Sequence, residues 1–493
     1  MAQAYVMEDT LLPMGFLAIC VVAATLFLFK RNDHLPLQNG KAPMELLYTN
    51  AKARFLVGAA DMLKSGFGKA RKSFFLMTDT GPRYIVPPEY AQELQNHRNL
   101  TSDGIIDERL QAHIPGLEVF QFDSYHGKLA RRTIRKKLRG PPLEGLTLTM
   151  VKETGLTIAE ICTDNPEWRE IGVRDIALPV LSRVFTAAFL GEELSRNKDW
   201  LRKFGEYSTA ASLAAEQLRF WPEPLRPLVH WVLPTFRKLR SDLTETCNMV
   251  ASVLQQRKTD DRGMGPREGY PTFVLEDWLD ELSGGKEFDP ALIHMTLFVV
   301  GVHTASDMLT QVIYDLCDRD ELVNDIRNEI TAVIAEDGEL KKGSMDKLKL
   351  LDSVMKESQR LKPANIAAMG RKANKDFILP DGTRIFKGEQ LLVPGFHMWD
   401  ESFYPNPQEF VPDRFLKMRQ SPGQEDLHQC VSTSANHLGF GHGVHACPGR
   451  FFAVHQLKIT SSAQAWDYVS RQHVWKDLYS QTPGEQSALK QLN

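Results

Sequence analysis

Cys447 lies in a glycine-rich stretch, residues 437–453, whose residue types could hold a reactive thiolate. The positions that stand at fixed intervals around this cysteine are Phe440, Gly443, His445 and Gly449. Glycines let a backbone turn sharply and approach a flat ligand closely. A helix is predicted to begin just after Cys447, and its free N–H groups and positive end would favour a thiolate over a thiol. The pattern therefore predicts an axial ligand to haem iron.

The plain alternative is that Cys447 is one more buried free cysteine, as most intracellular cysteines are. The five-position pattern argues against that alternative. The stretch resembles the F-x-x-G-x-[HR]-x-C-x-G signature of the cytochrome P-450 family, in which such a cysteine binds the iron of haem b (iron protoporphyrin IX). This resemblance implies the cytochrome P-450 fold, which is mainly α-helical with small β-sheets, and a monooxygenase activity.

A long buried helix is predicted to begin at Asp289-Pro290, an N-cap followed by a proline in the first turn, and to end near Asp318. From Leu292 to Val302 it is apolar nearly all round, which places it centrally. Gly301 and a hydroxyl residue one turn later are unfavourable inside such a helix, so we expect a local distortion there.

This helix resembles the family's [AG]-G-x-[DE]-T-[TS] segment at Gly301 and Thr304, whereas His303 replaces the acid and Ala305 the second hydroxyl residue. The resemblance implies that Thr304 hydrogen-bonds dioxygen and helps to deliver protons. His303 could serve the same relay, since imidazole titrates near neutral pH, or it could simply pack.

A predicted helix over residues 345–361 carries Glu357 and Arg360 one turn apart. The E-x-x-R pattern alone has no weight, because it recurs elsewhere in the chain. The copy at Glu357 and Arg360 lies before Pro363 and ahead of Cys447, as in the family. The resemblance therefore implies a buried structural network of Glu357, Arg360 and Arg414.

Residues 371–388 are predicted to form strands around an Asp-Gly turn. The resemblance places Arg371, together with His445, near a haem propionate. It also places the small apolar residues of 364–369 at the substrate cavity, which suits a bulky hydrophobic substrate.

The first 31 residues are predicted to be a membrane anchor, with an uncharged apolar helix over about 11–29. Acidic residues precede this helix and Lys30 and Arg31 follow it, so the catalytic domain should be cytosolic. A cleaved signal peptide is the alternative, but no basic residue precedes the apolar run. We therefore expect a single-pass protein of the endoplasmic reticulum membrane.

The remaining chain is predicted to form a linker over 32–45 and a single haem-thiolate domain over 46–493, of which 454–493 departs from the family pattern. The formal net charge of −3 argues against a nucleic-acid partner. Six scattered cysteines without framework spacing fit a reducing compartment without disulfides.

Two surface stretches have open interpretations. Residues 128–139 hold seven basic residues and could dock an acidic electron donor, contact haem propionates or form a solvated helix face. Residues 220–234 are aromatic and broken by prolines, and could be a membrane-facing lid over the substrate entrance or an ordinary packed loop.

The sequence around Thr304 and Cys447 resembles that of fungal family members of secondary metabolism, which often act on terpenoid, meroterpenoid or indole-diterpene intermediates. The expected partners are NADPH-cytochrome P-450 reductase, O2, a small hydrophobic substrate and the membrane. One alternative is a haem-thiolate dehydratase or isomerase without net oxygenation. The other is an inactive membrane protein, because the tail after Ala453 departs from the pattern.

Overall fold

The computed structural model describes residues 35–67, 72–162, 171–260 and 275–471. The predicted anchor helix over 11–29 and the last part of the tail, residues 472–493, lie outside the described residues. Within the described ranges the protein is mainly α-helical with two small sheets, as the resemblance implies. The helices are α1 Thr49–Gly66, α2 Ala91–Leu94, α3 Ile105–Arg109, α4 Tyr125–Lys137, α5 Pro141–Cys162, α6 Val173–Leu190, α7 Glu192–Ser195, α8 Lys198–Arg219, α9 Arg226–Val232, α10 Pro234–Asp260, α11 Leu275–Ser283, α12 Pro290–Leu316, α13 Asp320–Asp337, α14 Lys342–Lys347, α15 Lys349–Leu361, α16 Arg414–Arg419 and α17 Arg450–Arg471.

The strands are β1 Leu37–Gln38, β2 Phe74–Thr78, β3 Gly81–Ile85, β4 Leu100–Thr101, β5 Ala367–Ala373, β6 Phe377–Ile378, β7 Arg384–Ile385 and β8 Gln390–Pro394. The larger sheet has six of them in the order β1-β2-β3-β8-β5-β4, and the smaller sheet pairs β6 with β7. The β6–β7 pair is the predicted hairpin around the Asp-Gly turn.

The described part of the predicted linker is docked on the domain. Leu37 and Gln38 pair with β2 in parallel, and the side-chain amide of Asn39 donates to the carbonyls of Ala51 and Met77. These hydrogen bonds attach the segment to the sheet and to α1, whereas a solvated linker would bond to water. Residues 37–39 therefore belong to the folded body.

Helix α12 is the central helix of the core. The Asp289 carboxylate accepts a hydrogen bond from the Leu292 N–H at 3.0 Å, which caps the helix as predicted. Phe298 is buried among aromatic rings, including Phe185 at 4.8 Å between centroids, and such burial stabilises the fold by roughly 1.5–3 kcal/mol per side chain. Among the described residues, α12 alone is long and apolar enough to cross a membrane by length and composition. It lies in the core.

The prediction of a local distortion at Gly301 is wrong, because α12 runs as one α-helix from Pro290 to Leu316. A Cβ atom at position 301 would lie 2.7 Å from the ring of Phe185. The glycine is therefore explained by the close packing of α6 on α12.

The helix predicted over 345–361 is interrupted, since α14 ends at Lys347 and α15 begins at Lys349. Leu348 between them has non-helical dihedrals (φ −74°, ψ 75°). The N–H groups of Leu350 and Leu351 donate to the Glu329 carboxylate at 2.7 and 3.1 Å. This carboxylate from α13 caps a new helix, which explains the break.

Helix α17 continues past Ala453 to Arg471 in spite of the weak apolar periodicity of 455–467. Val454, Leu457 and Ile459 are buried in the main core. Helix α17 therefore packs into the main core, against α5 and α13.

Candidate active site

The loop before Cys447 is a tight turn that depends on glycine. Gly441 and Gly443 have φ of 68° and 77°, in the left-handed region that favours glycine. A Cβ atom on Gly443 would lie 2.6 Å from the carbonyl oxygen of Gln95. The Cys447 N–H donates to the Phe440 carbonyl at 2.9 Å, so the turn closes on itself and fixes the cysteine.

The Cys447 thiol is held between two opposing effects. Burial raises its pKa, whereas hydrogen bonds from the Gly449 and Arg450 backbone, together with the Arg450 charge, act to lower it. These N–H groups are those of the helix start predicted from the sequence. Because burial dominates, a full thiolate here calls for a further positive charge, which an iron ion supplies.

Arg371 is a buried cation next to this loop. It is 3% exposed, its Nη2 donates to the His442 carbonyl at 3.3 Å, and its Nε has no hydrogen-bond partner. Burial lowers its pKa to about 10. Among the residues that the structure describes, no carboxylate forms an ion pair with it, so the site lacks the anion that a buried guanidinium requires.

His445 is close enough to Arg371 to feel its charge, and the resemblance places both residues at a haem propionate. Its Nδ1 lies 3.0 Å from the Ser102 hydroxyl. Burial and then the Arg371 charge lower its pKa, which keeps the imidazole neutral near pH 7.

Thr304 lies on the one open stripe of α12. Val300 is 37% exposed and Thr304 is exposed too, although most of the helix around them is buried. The Thr304 hydroxyl donates back to the Val300 carbonyl at 2.9 Å. A hydroxyl tethered in this way can still accept or pass a proton on its open side.

Gln359 connects the α12 stripe with the cysteine loop. Its Nε2 lies 3.8 Å from the sulfur of Met308, one turn after Thr304. A Cβ atom on Gly439 would lie 2.3 Å from its Oε1. Gln359 therefore contacts both α12 and the loop that leads to Cys447.

His303 projects from the neighbouring face of α12. Its Nε2 is buried and has no hydrogen-bond partner. Burial, followed by the charge of Arg174, lowers its pKa. The side chain is therefore neutral near pH 7 and retains an unused polar atom.

The predicted Glu357 network is present. Arg360 Nε and Nη2 donate to the two Glu357 oxygens at 2.8 Å each, and Arg414 Nε lies 3.0 Å from Oε1. Both arginines also donate to carbonyls of the segment before α16, among them Pro405 and Pro407. The network ties α15 to the loops that lead to Cys447.

These residues fit the haem that the resemblance implies. Cys447 is a ligand that needs a cation, and Arg371 is a cation that needs an anion. Haem supplies both complements, through its iron and its propionates, and its planar apolar ring suits the exposed stripe at Thr304.

Three site residues were missed by the sequence reasoning. The Asn96 side chain accepts a hydrogen bond from the Val444 N–H at 2.8 Å, Ser102 contacts His445, and Gln359 packs against Gly439. Asn96 and Ser102 stand in short polar segments without periodicity. Gln359 carried a weak signal, as a polar residue beside Arg360 on a buried helix.

The comparisons with known proteins agree with this geometry. A model of the cytochrome P450 family matches residues 58–463. The cytochrome P450 monooxygenase adrA of Penicillium rubens is 38% identical over 457 residues, which are 91% of this chain and 88% of that protein. The cytochrome P450 monooxygenase ptmU of Penicillium ochrochloron is 38% identical over 426 residues, 86% of this chain and 84% of that protein.

A third relative, the cytochrome P450 monooxygenase pyr3 of Aspergillus fumigatus, is 36% identical over 446 residues, 90% of this chain and 84% of that protein. Among solved structures, the crystal structure of the cytochrome P450DA heme domain superposes with a TM-score of 0.65 at 17% identity, and the match covers 87% of this chain and 90% of that one. The structural match shows the shared fold.

Proposed function

Since this chain belongs to the cytochrome P450 family and is a haem-dependent monooxygenase, we propose that it oxidises a bulky hydrophobic intermediate of terpenoid type in a secondary-metabolite pathway. It would use O2 and electrons that pass from NADPH through a flavoprotein reductase. The observation that supports this proposal is the exposed stripe of Val300 and Thr304 on an otherwise mostly buried helix, which Gln359 connects with the Cys447 loop. The similarity to monooxygenases of Penicillium and Aspergillus supports the pathway type.

When bound, haem supplies the reductive activation of dioxygen and the transfer of one oxygen atom to a C–H bond. The chain supplies the setting for that chemistry. Cys447 would hold the iron, and Arg371 and His445 would hold a propionate. The Thr304 hydroxyl would turn from the Val300 carbonyl to donate its proton on the open side of α12, and a relay would return a proton to it.

His303 would be the next member of this relay in place of the family's carboxylate. A neutral imidazole can accept a proton at one nitrogen and release another from its second nitrogen. Its lowered pKa keeps it in that neutral form at pH 7. The unpartnered Nε2 atom supports this role over one in packing alone.

Electrons would arrive on the basic face of α4. Its exposed cations, with the one just after the helix, are Lys128, Arg132, Arg135, Lys136 and Arg139. Arg135 Nη2 donates to the carbonyl of Val444, three residues before Cys447. An acidic reductase surface steered to this face would dock next to the cysteine ligand.

The domain would contact the endoplasmic reticulum membrane through two exposed apolar segments, with the catalytic domain on the cytosolic side. The first lies before and along α1, where Leu46 is 87% and Val57 67% exposed, and the second is α9, where Trp231 is 57% and Val232 79% exposed. Hydrogen bonds from the first segment to the backbone just before α9 join them, since Thr49 and Lys52 donate to the carbonyls of residues 220 and 219. Tryptophan is favoured at a lipid interface, and the anchor predicted over 11–29 precedes the first segment in the sequence, so both suit such a surface.

The first experiment is the carbon monoxide difference spectrum of the dithionite-reduced membrane fraction from cells making the full chain. Wild type should give a thiolate-type Soret band, and Cys447→Ala should lose it. Cys247→Ala, which removes a half-buried thiol on α10, is the matched control and should keep the band.

Turnover then separates the alternatives. Product formation that requires NADPH and O2 supports oxygenation, whereas turnover without them would mean a dehydratase or isomerase. A wild-type chain without any haem band would contradict the enzyme assignment and direct attention to the tail after Ala453.

A further inference from the structure

Lys356 is a buried lysine on α15. It is 2% exposed, and among the described residues no carboxylate lies at ion-pair distance from it. Burial lowers the pKa of Lys356 to about 8, because the ammonium group has lost its water. A lysine is rarely buried in this way unless its charge has a specific partner.

The partner of Lys356 is a backbone turn that precedes the Cys447 loop. Its Nζ donates to the carbonyls of Gln429 and Ser432, at 2.8 and 2.7 Å. The Ser432 N–H in turn donates to the Gln429 carbonyl at 2.9 Å, so residues 429–432 form a closed turn. We call these four residues the support turn.

Asp352 binds the same turn from one helical turn earlier on α15, on the face that also carries Lys356. Its Oδ2 accepts a hydrogen bond from the Cys430 N–H at 2.8 Å, and its Oδ1 pairs with Lys458 of α17 at 2.7 Å. Two side chains of α15 therefore bind three backbone groups of the support turn.

Arg450 connects the support turn with Cys447. Its Nε donates to the Val431 carbonyl at 3.0 Å, and its Nη1 donates to the Cys447 carbonyl at 2.9 Å. A guanidinium is planar and rigid, so the position of one acceptor determines where its other donors and its charge lie. The charge of Arg450 acts to lower the pKa of the Cys447 thiol.

We propose that Lys356 is a positioning residue for the cysteine ligand: it fixes the support turn, which orients Arg450 on Cys447 and so favours the thiolate. Lys356 itself contacts neither Cys447 nor the cofactor and acts only through Arg450. This inference rests on the proposed function, in which Cys447 holds the haem iron.

The proposal is tested on the full-length, detergent-solubilised holoenzyme as its reduced carbon monoxide complex. The measurement is the rate at which the thiolate-type Soret band converts to the neutral-thiol type at fixed temperature and pH. Lys356→Met should accelerate this conversion about tenfold or more, the effect of one lost charge-assisted hydrogen bond. Lys349→Met, which removes an exposed lysine of the same helix, is the matched control and should convert at the wild-type rate.

A second control separates positioning from a general loss of stability. Val250→Ala removes buried volume on α10 and should lower the urea midpoint without a change in the conversion rate. Hydrogen–deuterium exchange of residues 429–432 should be faster in Lys356→Met and unchanged in Val250→Ala.

A double-mutant cycle tests the path through Arg450. If Lys356 acts only through this arginine, conversion in Lys356→Met combined with Arg450→Met should be no faster than in Arg450→Met alone. Lys356→Gln keeps a donor without a charge and should give a smaller acceleration. It carries the test if Lys356→Met does not fold.

Three results would overturn the proposal: wild-type conversion rates in the Lys356 variants, equal acceleration in Val250→Ala, or additive effects of Lys356→Met and Arg450→Met. A missing haem band in wild type would instead refute the proposed function, so the two failures are distinguishable.

Discussion

Arg414 Nε lies 3.0 Å from Glu357 Oε1 across 57 residues of sequence, and both side chains are almost fully buried. Glu357 also binds Arg360, so one carboxylate serves two guanidinium groups. The arginines in turn donate to carbonyls of the loops ahead of the Cys447 segment. A buried anion with two cations is costly to break, since the remaining charges cannot reach water.

Glu357→Gln should therefore destabilise the domain. The amide cannot neutralise two buried guanidinium groups, and we expect the free energy of unfolding to fall by about 3–5 kcal/mol. Denaturant unfolding followed by circular dichroism measures this loss, and the haem content of the purified protein should fall with it.

The matched control is Glu206→Gln, the same change on a helix in an exposed pair with Arg202. It should leave the unfolding midpoint nearly unchanged, because exposed pairs contribute little. Equal stability of the two variants would contradict the structural role of the Glu357 network.

The sequence predicts two kinds of feature. One kind depends only on neighbouring residues, and the other is a motif whose residue spacing is set by a bound ligand. The Asp289 cap and the apolar run of α12 are local, and the Cys447 pattern reflects the geometry of a bound group. The break at Leu348 could not be predicted, because the Glu329 carboxylate that caps α15 comes from another helix. The contact between Lys356 and the Gln429 carbonyl was likewise inaccessible, since 73 residues separate the partners.

Arg371→Leu should have opposite effects on the haem-free and the haem-bound protein. Without haem, removal of a buried cation that has an unsatisfied Nε and no carboxylate partner among the described residues should raise the free energy of unfolding by about 1–3 kcal/mol. With haem, loss of the proposed contact between Arg371 and a propionate should speed haem dissociation by about tenfold or more. Denaturant unfolding and haem transfer to an excess of apomyoglobin measure the two effects.

Arg384→Leu provides the comparison for Arg371, because it removes an exposed arginine of β7. Neither stability nor haem dissociation should change. A slower or unchanged loss of haem in Arg371→Leu would show that the buried guanidinium does not hold the cofactor.

The contact between α11 and α12 should depend on pH. His294 Nδ1 bonds the Pro290 carbonyl at 2.8 Å, and its Nε2 lies 3.0 Å from Glu276 Oε1. Burial acts to raise the pKa of Glu276, but His294 holds it below the usual value. Because a lowered pKa means that the unfolded chain binds more protons, this stabilisation is complete above the usual pKa of about 4.3 and is lost as pH falls through the folded value.

Between pH 5 and pH 3.5, the urea midpoint of wild type should therefore fall by more than that of Glu276→Gln. Glu281→Gln, on the same helix but exposed and paired with Lys137, should follow wild type. Parallel pH profiles for wild type and Glu276→Gln would contradict a contribution from this pair.

His303→Phe should uncouple electron consumption from product formation if the imidazole passes protons to Thr304. Phenylalanine fills a similar volume without an exchangeable proton, so product per NADPH should fall by about 10²-fold, the lower end of what a general acid or base contributes. His303→Asp restores the family's carboxylate and should retain the wild-type yield of product per NADPH.

The yield of product per NADPH should also depend on pH. In wild type it should be constant above pH 7 and fall only below the usual histidine pKa of about 6.5, because burial and Arg174 lower the pKa of this imidazole. That pH dependence should be absent in His303→Phe and present in the control His113→Phe, which replaces an exposed histidine. Full coupling with a wild-type pH profile in His303→Phe would leave His303 with packing as its only function.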